Sequence, residues 1–433
     1  MQEERSLLNV LRDVWHNRTL RSKVLFTFAM LFVFRLCSFI TVPSIDTVRL
    51  RELFSTNQFL VLLDIFSGGT LVNFSILAIG LNPYINASIA IQLLTSVYPP
   101  LEALAKEGEY GRFKINQYTR LLTLPIAFLQ GIGMYFFLLN QKILSPLPFF
   151  DLLVFAASLA AGTFVLVWIG ELISEYGVGN GISLIILAGI VGRLPIMILQ
   201  SGTTLSQETI LPTILSIVFS CLVVYFVVIL NEAQRRIPVF YAKRVRGGKL
   251  YGGASNYLPL KLSQAGVIPI IFAVSFVLFP QLLGNIFVSS PNGVLQGIGS
   301  FLVSLFATNG IAYNLIYFFL VVLFTFFYSS LVFNPQKISE EIQKQGGFIP
   351  GIRPGSATKL FLQSTLYRIT AVGALALGLI AVLPNIMSAI TGSQSYLVGG
   401  TSILILVSVI LETYRVLQSS IITEGYDKLQ YRF

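Results

Sequence analysis

Few residues in this chain could make or break bonds, and their positions remove most of the chemistry they might do. The only histidine, His16, lies in the N-terminal tail, so His-dependent serine proteolysis and an H-E-x-x-H zinc site are both absent. Four carboxylates come near apolar runs: Asp64, Asp151, Glu171 and Glu412. None falls in the middle of a continuous run. An aspartyl dyad needs two facing carboxylates, and proton-coupled transport usually needs an acid within the membrane. No G-x-x-x-x-G-K-[ST] loop occurs; Gly177-Val178-Gly179-Asn180-Gly181 is glycine-rich but reads as a tight turn. Cys37 and Cys221 lie inside apolar runs and read as small core residues, not as a disulfide or a metal pair. The expectation is a protein that is not an enzyme, carries no cofactor or metal, and draws any energy from a partner or the membrane gradient.

What remains is hydrogen bonding and charge. Asn82, Asn86, Ser88, Gln92 and Thr95 lie in one apolar run beside Pro83, with Asn82 and Asn86 one helical turn apart. Such groups either bond helix to helix, at about 0.6–2 kcal/mol each, or line a wet seam that can open. The stretch 231–249 reads Asn-Glu-Ala-Gln-Arg235-Arg236-Ile-Pro, then Lys243-Arg244-Val-Arg246-Gly-Gly-Lys249, with seven basic residues across 231–266. A second long loop holds Arg353 between Pro350 and Pro354, which stiffen it. Basic loops of this kind bind anionic lipid, RNA or acidic protein, or simply fix topology. Arg35 lies inside a run, as a partner for carbonyls or another loop; Arg193 is placed to snorkel outward.

The elements that must position these groups are membrane helices. Of 433 residues, 55% are hydrophobic and 11% charged, against about 25% charged in soluble domains. Crossing the hydrocarbon takes about 20 apolar residues. Ten runs qualify: Val24–Val42, Ile76–Val97, Leu121–Leu139, Leu152–Ile173, Ile182–Leu199, Ile210–Leu230, Val267–Leu283, Ile311–Phe333, Ile369–Ile386 and Leu397–Leu411. An eleventh stretch, about 59–74, carries Asp64 and is broken by Ser67-Gly68-Gly69. It reads as a short re-entrant helix, or alternatively as a helix on the outer surface. The segment Arg5 to Leu20 is amphipathic and suits the membrane surface.

Ten spans put both termini on one side. The N-terminus, the loops after even-numbered spans and the C-terminus hold 24 of the 29 Lys and Arg, which makes that side cytoplasmic. Loops 231–266 and 334–368 are then cytoplasmic; 284–310 is external, uncharged and able to include an apolar surface helix. Five spans precede residue 205 and five follow. An odd number per half makes any repeat an inverted one, giving halves 1–205 and 206–433. The fold class is an all-α integral membrane protein of ten transmembrane helices in two pseudo-symmetric inverted halves, with a short re-entrant helix.

Several motifs in order resemble the bacterial SecY family, central subunits of the protein-conducting channel. They are Phe66-Ser67-Gly68-Gly69, Pro83-Tyr84-Ile85 with Gln92-Leu93-Leu94-Thr95, Glu107-Gly108-Glu109, Gly179-Asn180-Gly181-Ile182-Ser183, Gln234-Arg235-Arg236 and Leu258-Pro259-Leu260-Lys261. Ala265-Gly266-Val267-Ile268-Pro269, Val332-Phe333-Asn334-Pro335, Pro350-Gly351-Ile352-Arg353-Pro354-Gly355 and Gly399-Gly400-Thr401-Ser402 complete the set.

The resemblance implies an hourglass pore with an aliphatic ring at Leu81, Ile85, Ile182, Ile186, Ile271 and Ile405, together with Ile268. Ordinary core packing is the alternative for those positions. It implies a plug at Asp64, Phe66, Ser67, Gly68 and Gly69. A lateral gate is implied where spans 2 and 3 meet spans 7 and 8, with Asn86, Gln92, Thr95 and Ser275 in the seam. Docking of the ribosome or the SecA motor is implied at Arg235, Arg236, Lys243, Arg244, Lys249 and Arg353. SecE and SecG are the implied membrane partners, signal-bearing polypeptides the cargo, lipid the receiver of released segments, and the bacterial cytoplasmic membrane the location. Phe240, where many relatives carry a polar residue, and Leu81, unbranched at Cβ, depart from the pattern. The competing reading is an inverted-repeat transporter of a small solute.

Overall fold

The computed structural model describes residues 12, 14–42, 64, 67, 69–140, 144–203, 210–241, 244–246, 249–251, 255–264, 266–288, 290, 292–307, 310–391 and 400–430. Among them each of the ten predicted runs falls on a helix. In chain order these are α1 (Arg18–Cys37), α2 (Asn82–Val97), α4 (Glu109–Asn140), α5 (Phe149–Tyr176), α6 (Gly181–Thr203), α7 (Ile210–Glu232), α8 (Ile268–Val288), α10 (Ile311–Val332), α12 (Ser356–Thr391) and α13 (Gly400–Gln430). Three shorter helices intervene: α3 (Pro99–Lys106), α9 (Gly293–Leu305) and α11 (Pro335–Lys344). Six helical stretches among the described residues are long and apolar enough to cross a membrane on length and composition alone.

The second span begins later than its hydropathy suggests. Residues 70–81 form consecutive turns, and the helix starts only at Asn82 with Pro83 in its first turn, where proline's missing N–H costs nothing. At 16 residues, α2 reaches about 24 Å at 1.5 Å per residue, short of the hydrocarbon thickness. The irregular stretch is tolerable at membrane depth because protein encloses it: Thr70, Leu71, Phe74, Ser75 and Leu77 are all buried. Its backbone groups are satisfied from α1's far end, with Val42 N donating to Phe74 O (3.0 Å) and Ile76 N to Ile40 O (2.9 Å). Gly162 of α5 lets this stretch pass, since a Cβ there would sit 1.9 Å from the Ile76 carbonyl oxygen.

Most of the buried apolar side chains form one cluster shared by α1, α2, α4–α8, α10, α12 and α13. A second, smaller core lies apart from it: Ile237, Val239, Leu260, Phe333, Ile342, Ile349, Leu362 and Leu366. It is built on a three-stranded antiparallel sheet in the order β4–β1–β5, from β1 (Gln234–Tyr241), β4 (Ser255–Lys261) and β5 (Gly347–Phe348). A separate hairpin pairs β2 (Arg244–Arg246) with β3 (Lys249–Tyr251). The two long basic loops, read separately from the sequence, therefore share a sheet. The uncharged stretch 284–310 does contain a helix: α9 lies against α8, and Gly299 and Gly284 permit the contact, because a Cβ on Gly299 would fall 2.8 Å from the Gly284 carbonyl oxygen.

Candidate functional site

The aliphatic positions come from five places in the chain. Leu81 closes the irregular stretch and Ile85 lies in the first turn of α2. Ile182 and Ile186 share one face at the start of α6, Ile268 and Ile271 open α8, and Ile405 lies on α13. Leu81, Ile85, Ile186, Ile271 and Ile405 belong to the main cluster, and Ile182 and Ile268 are half-buried against it. A closed apolar constriction and a packed core share this burial.

The start of α6 is held closely. Asn180 caps it, Oδ1 accepting from Ile182 N (3.1 Å) and Ser183 N (3.3 Å), while Gly181 N donates to Ser174 Oγ (2.9 Å). A Cβ on Gly181 would sit 1.9 Å from the Gly170 carbonyl oxygen, so only glycine lets α6 turn back against α5 at this distance. Gly179, at φ 73°, occupies the left-handed region that favours glycine. The glycine-rich run is a turn that aims Ile182 and Ile186.

Of the seam residues, Gln92 donates to Ser88 Oγ (2.9 Å) and Thr95 to the Ile91 carbonyl (2.7 Å), both within α2. Asn86 is half-buried. No hydrogen bond among the described residues joins any two of Asn86, Gln92, Thr95 and Ser275. Ser275 is buried and its Oγ has no partner, and the same holds for Asn82 Oδ1 and Gln281 Oε1. Each such group costs roughly 1–3 kcal/mol. On one side of that seam α8 and α10 meet through aromatic rings: Phe272 and Phe276 meet Phe324 edge-on at 6.0 and 6.1 Å, and Phe272 meets Tyr328 at 6.2 Å. Sequence reading missed these rings, since the run Ile311–Phe333 is rich in Phe and Tyr and nothing in it marks which rings face α8.

In the broken segment Asp64 is fully buried and Oδ1 accepts from Leu71 N (2.9 Å) and Val72 N (3.1 Å). Ser67 Oγ donates to the Asp64 carbonyl (3.0 Å), and Gly69, at φ 76°, donates its N–H to the same oxygen (2.7 Å). Phe66 and Gly68 lie outside the described residues, as does half of the stretch 59–74. Arg35 lies over the Phe39 ring at 5.5 Å, with its guanidinium against Gly192 and near Gly69. The Arg193 side chain lies outside the described part.

Arg235 and Arg236 are exposed on β1. Arg244 and Lys249 lie on the β2–β3 hairpin, with Arg244 opposite Tyr251 and Lys249 opposite Arg246; Lys243 lies outside the described residues. Arg353 is exposed in a turn fixed from behind: Thr358 Oγ1 donates to its carbonyl (2.9 Å), Ser339 Oγ to the Gly355 carbonyl (2.8 Å), and Ile349 is buried in the smaller core. At the foot of the sheet Arg415 of α13 donates to the Asn231 carbonyl (2.6 Å) and pairs with Glu232 (2.7 Å). Asn231 Nδ2 in turn donates to Ser408 Oγ (2.9 Å). Lys261 stands beside this pair; burial first, then the neighbouring Arg415 charge, lower its pKa. Nothing in the sequence links these groups, which come together across more than 170 residues.

Comparison with known proteins follows this geometry. The SecY family model matches residues 75–414. Relatives called "Protein translocase subunit SecY" include one from Corynebacterium glutamicum, 40% identical over 98% of this chain and all of its own length. Another, from Vibrio cholerae, is 42% identical over 95% and 94%. Among solved structures, one described as "The structure of a protein conducting channel" overlays with a TM-score of 0.64 at 18% identity, covering 93% of both chains. "Sec61 in the Canine ribosome-channel complex from the endoplasmic reticulum" gives 0.60 at 17%, again with 93% of both covered. At that identity the two structures speak for the fold.

Proposed function

The chain belongs to the SecY family, and on that premise we propose that it is the protein-conducting channel of a Sec translocase, a multi-pass protein of the bacterial cytoplasmic membrane. It passes unfolded secretory polypeptides across the membrane and releases apolar segments sideways into lipid. The observation that carries this reading is the likeness to translocase subunits at about 40% identity along almost the entire chain. A small-solute transporter finds no support among those relatives.

The physical logic runs through the aliphatic cluster. A passing polypeptide presents every side chain in turn, so the constriction must avoid specific polar contacts. Leu81, Ile85, Ile182, Ile186, Ile268, Ile271 and Ile405 would form a compliant apolar gasket that dewets when empty and limits ion leak. The segment around Asp64, Ser67 and Gly69 would serve as its plug. Where α2 and α4 meet α8 and α10, the seam would open to lipid. A segment there gains about 0.3–0.6 kcal/mol per Leu, Ile, Phe or Val and loses about 2.5–3.5 kcal/mol per central Asp, Lys or Arg. Polar groups satisfied within their own helix, as Gln92 and Thr95 are, leave no strong bond to break across that seam. Residues 1–205 and 206–433 would act as its two halves, both termini facing the cytoplasm.

Arg235, Arg236, Lys243, Arg244, Lys249 and Arg353 would receive the ribosome or the SecA motor, with SecE and SecG as small membrane partners. The test is a stalled secretory chain with photocrosslinking probes at Ile85, Ile186 and Ile271. Crosslinks to the nascent chain at all three are expected; labelling only by lipid would overturn the pore assignment.

A further inference from the structure

Helix α9 does not run out from the end of α8; it folds back along it. A Cβ on Gly299 would fall 2.6 Å from Val288 N and 2.9 Å from the Phe287 carbonyl carbon, at the last turn of α8. Leu302 and Val303 lie instead against Gly284, each 3.1 Å from the place a Cβ would take there. The next turn of α9 thus meets α8 one turn further from its end. α8 has 21 residues, about 31 Å at 1.5 Å per residue, which matches the hydrocarbon it crosses. Gly284 lies about 6 Å inside its end, within the depth of about 5–10 Å at which amphipathic helices meet acyl chains.

Three faces divide α9. Gly299, Leu302 and Val303 meet α8. Asn292, Gln296, Ser300 and Ser304 recur at every fourth residue on a second face. Val294, Ile298 and Phe301 form the third, on the far side from the polar one, and are 72%, 46% and 63% exposed. Residues 284–310 carry no charge. Ser300 and Ser304 donate to the carbonyls of Gly297 and Phe301 (both 2.9 Å), the internal pairing a hydroxyl needs away from water. Residues 306–310 then lead into α10, where Ile311, Leu315, Phe319 and Leu323 form an exposed stripe along a membrane-crossing helix.

We propose that α9 is a re-entrant wedge whose third face, Val294, Ile298 and Phe301, is covered by acyl chains of the outer leaflet, and that it anchors the outer end of α8 there. Lipid is the occupant for two reasons. The wedge returns along a helix that crosses the bilayer, and the face carries neither charge nor polar side chain while the next helix continues it with a stripe of the same kind. The anchor holds only part of α8. Pro280 lies within that helix and leaves the Phe276 carbonyl without its helical donor, a site of bending. Residues 281–288 go with α9, and Ile268, Ile271 and Ser275 lie on the other side of the bend. The inner segment can therefore tilt while the outer one stays pinned. That use of the bend rests on the gate proposed above; the lipid contact does not.

The test uses the whole chain in lipid vesicles, with Cys37→Ala and Cys221→Ala as background and Gln296→Cys, Ile298→Cys or Phe301→Cys carrying a spin label. Collision with oxygen, which concentrates in lipid, is compared with collision with a water-soluble nickel chelate. Labels at 298 and 301 are expected to meet oxygen about tenfold more than nickel, and the label at 296 to meet nickel more than oxygen. Nickel prevailing at 298 and 301 would place the face in water. Neither reagent reaching them would place it under protein, a second copy or another membrane chain. Either result overturns the proposal. The anchor is read by depth in short-chain and long-chain lipids. The label at 301 is expected to keep its distance from the headgroups, because the bend at Pro280 lets α9 follow them. A label that sinks as the bilayer thickens refutes the anchor. A parent channel that exports no precursor from the same vesicles would count against the channel reading and leave the wedge standing.

Discussion

Individual glycines and aliphatics carry the tightest constraints in this chain. Gly181 has no room for a side chain, since its Cβ would meet the Gly170 carbonyl at 1.9 Å. Gly181→Val is therefore expected to cost about 1–3 kcal/mol by overpacking and to displace Ile182 and Ile186 with it. The thermal unfolding midpoint of the detergent-solubilised channel would show the loss. At Ile271 the expectation concerns sealing. Ile271→Asn puts a polar amide into the aliphatic cluster, where it can hold water, and single-channel ion conductance in planar bilayers is expected to rise. Unchanged conductance would place Ile271 in ordinary packing. The sequence makes the residue types at these positions legible, but not their burial in or against one apolar cluster. Isoleucine and leucine fill every span, and only the family pattern separated seven of them from the rest. The buried, partnerless Ser275 Oγ and Asn82 Oδ1 were visible only as polar letters; whether a neighbour satisfies them depends on three-dimensional packing.

At the scale of elements, each of the ten apolar runs falls on a helix, because a 20-residue apolar run has few other fates in an aqueous cell. Hydropathy failed at the start of α2. The residues 76–81 are apolar enough for a helix, yet they turn back on α1's end and are held by Thr70 and Ser75 instead. Hydropathy measures the solvent a segment prefers and says nothing of its backbone path once protein surrounds it. The sheet was missed for a related reason. Its alternation, Ile237 and Val239 in and Arg236, Pro238 and Phe240 out, is hidden among charges that made the loop look merely basic.

The join between the sheet and α13 permits a quantitative comparison. Asn231 is buried and bonded to Ser408 and Val227, so Asn231→Ala is expected to cost about 1–3 kcal/mol. Glu232 is more than half exposed where it meets Arg415, so Glu232→Gln is expected to change stability by less than about 1 kcal/mol. Equal effects in chemical denaturation would mean that the ion pair, not the buried amide, secures the join.

For the whole molecule the charge distribution is the informative quantity. In the proposed topology 24 of the 29 Lys and Arg fall on one side, where they would set orientation and furnish the proposed docking groups. Arg353 is the clearest candidate for docking, because it is exposed and its turn is fixed by bonds that do not involve its side chain. Arg353→Glu is expected to reduce motor-driven export in inverted vesicles at least tenfold while membrane assembly, followed by protease protection, stays near the parent level. Equal loss of both would refute a docking role.

The smaller core has a mechanical consequence. It stitches the segment between α7 and α8 to the segments that run from α10 into α12, so neither loop can be pulled without the other. A partner gripping any point on this module applies its load at both anchor points together, like a hand on a yoke. Asn231 joins this module to α13 through Ser408, one turn from Ile405, and through Arg415 further along the helix. In the proposed channel, effort exerted outside the bilayer would therefore reach several helices in a single stroke.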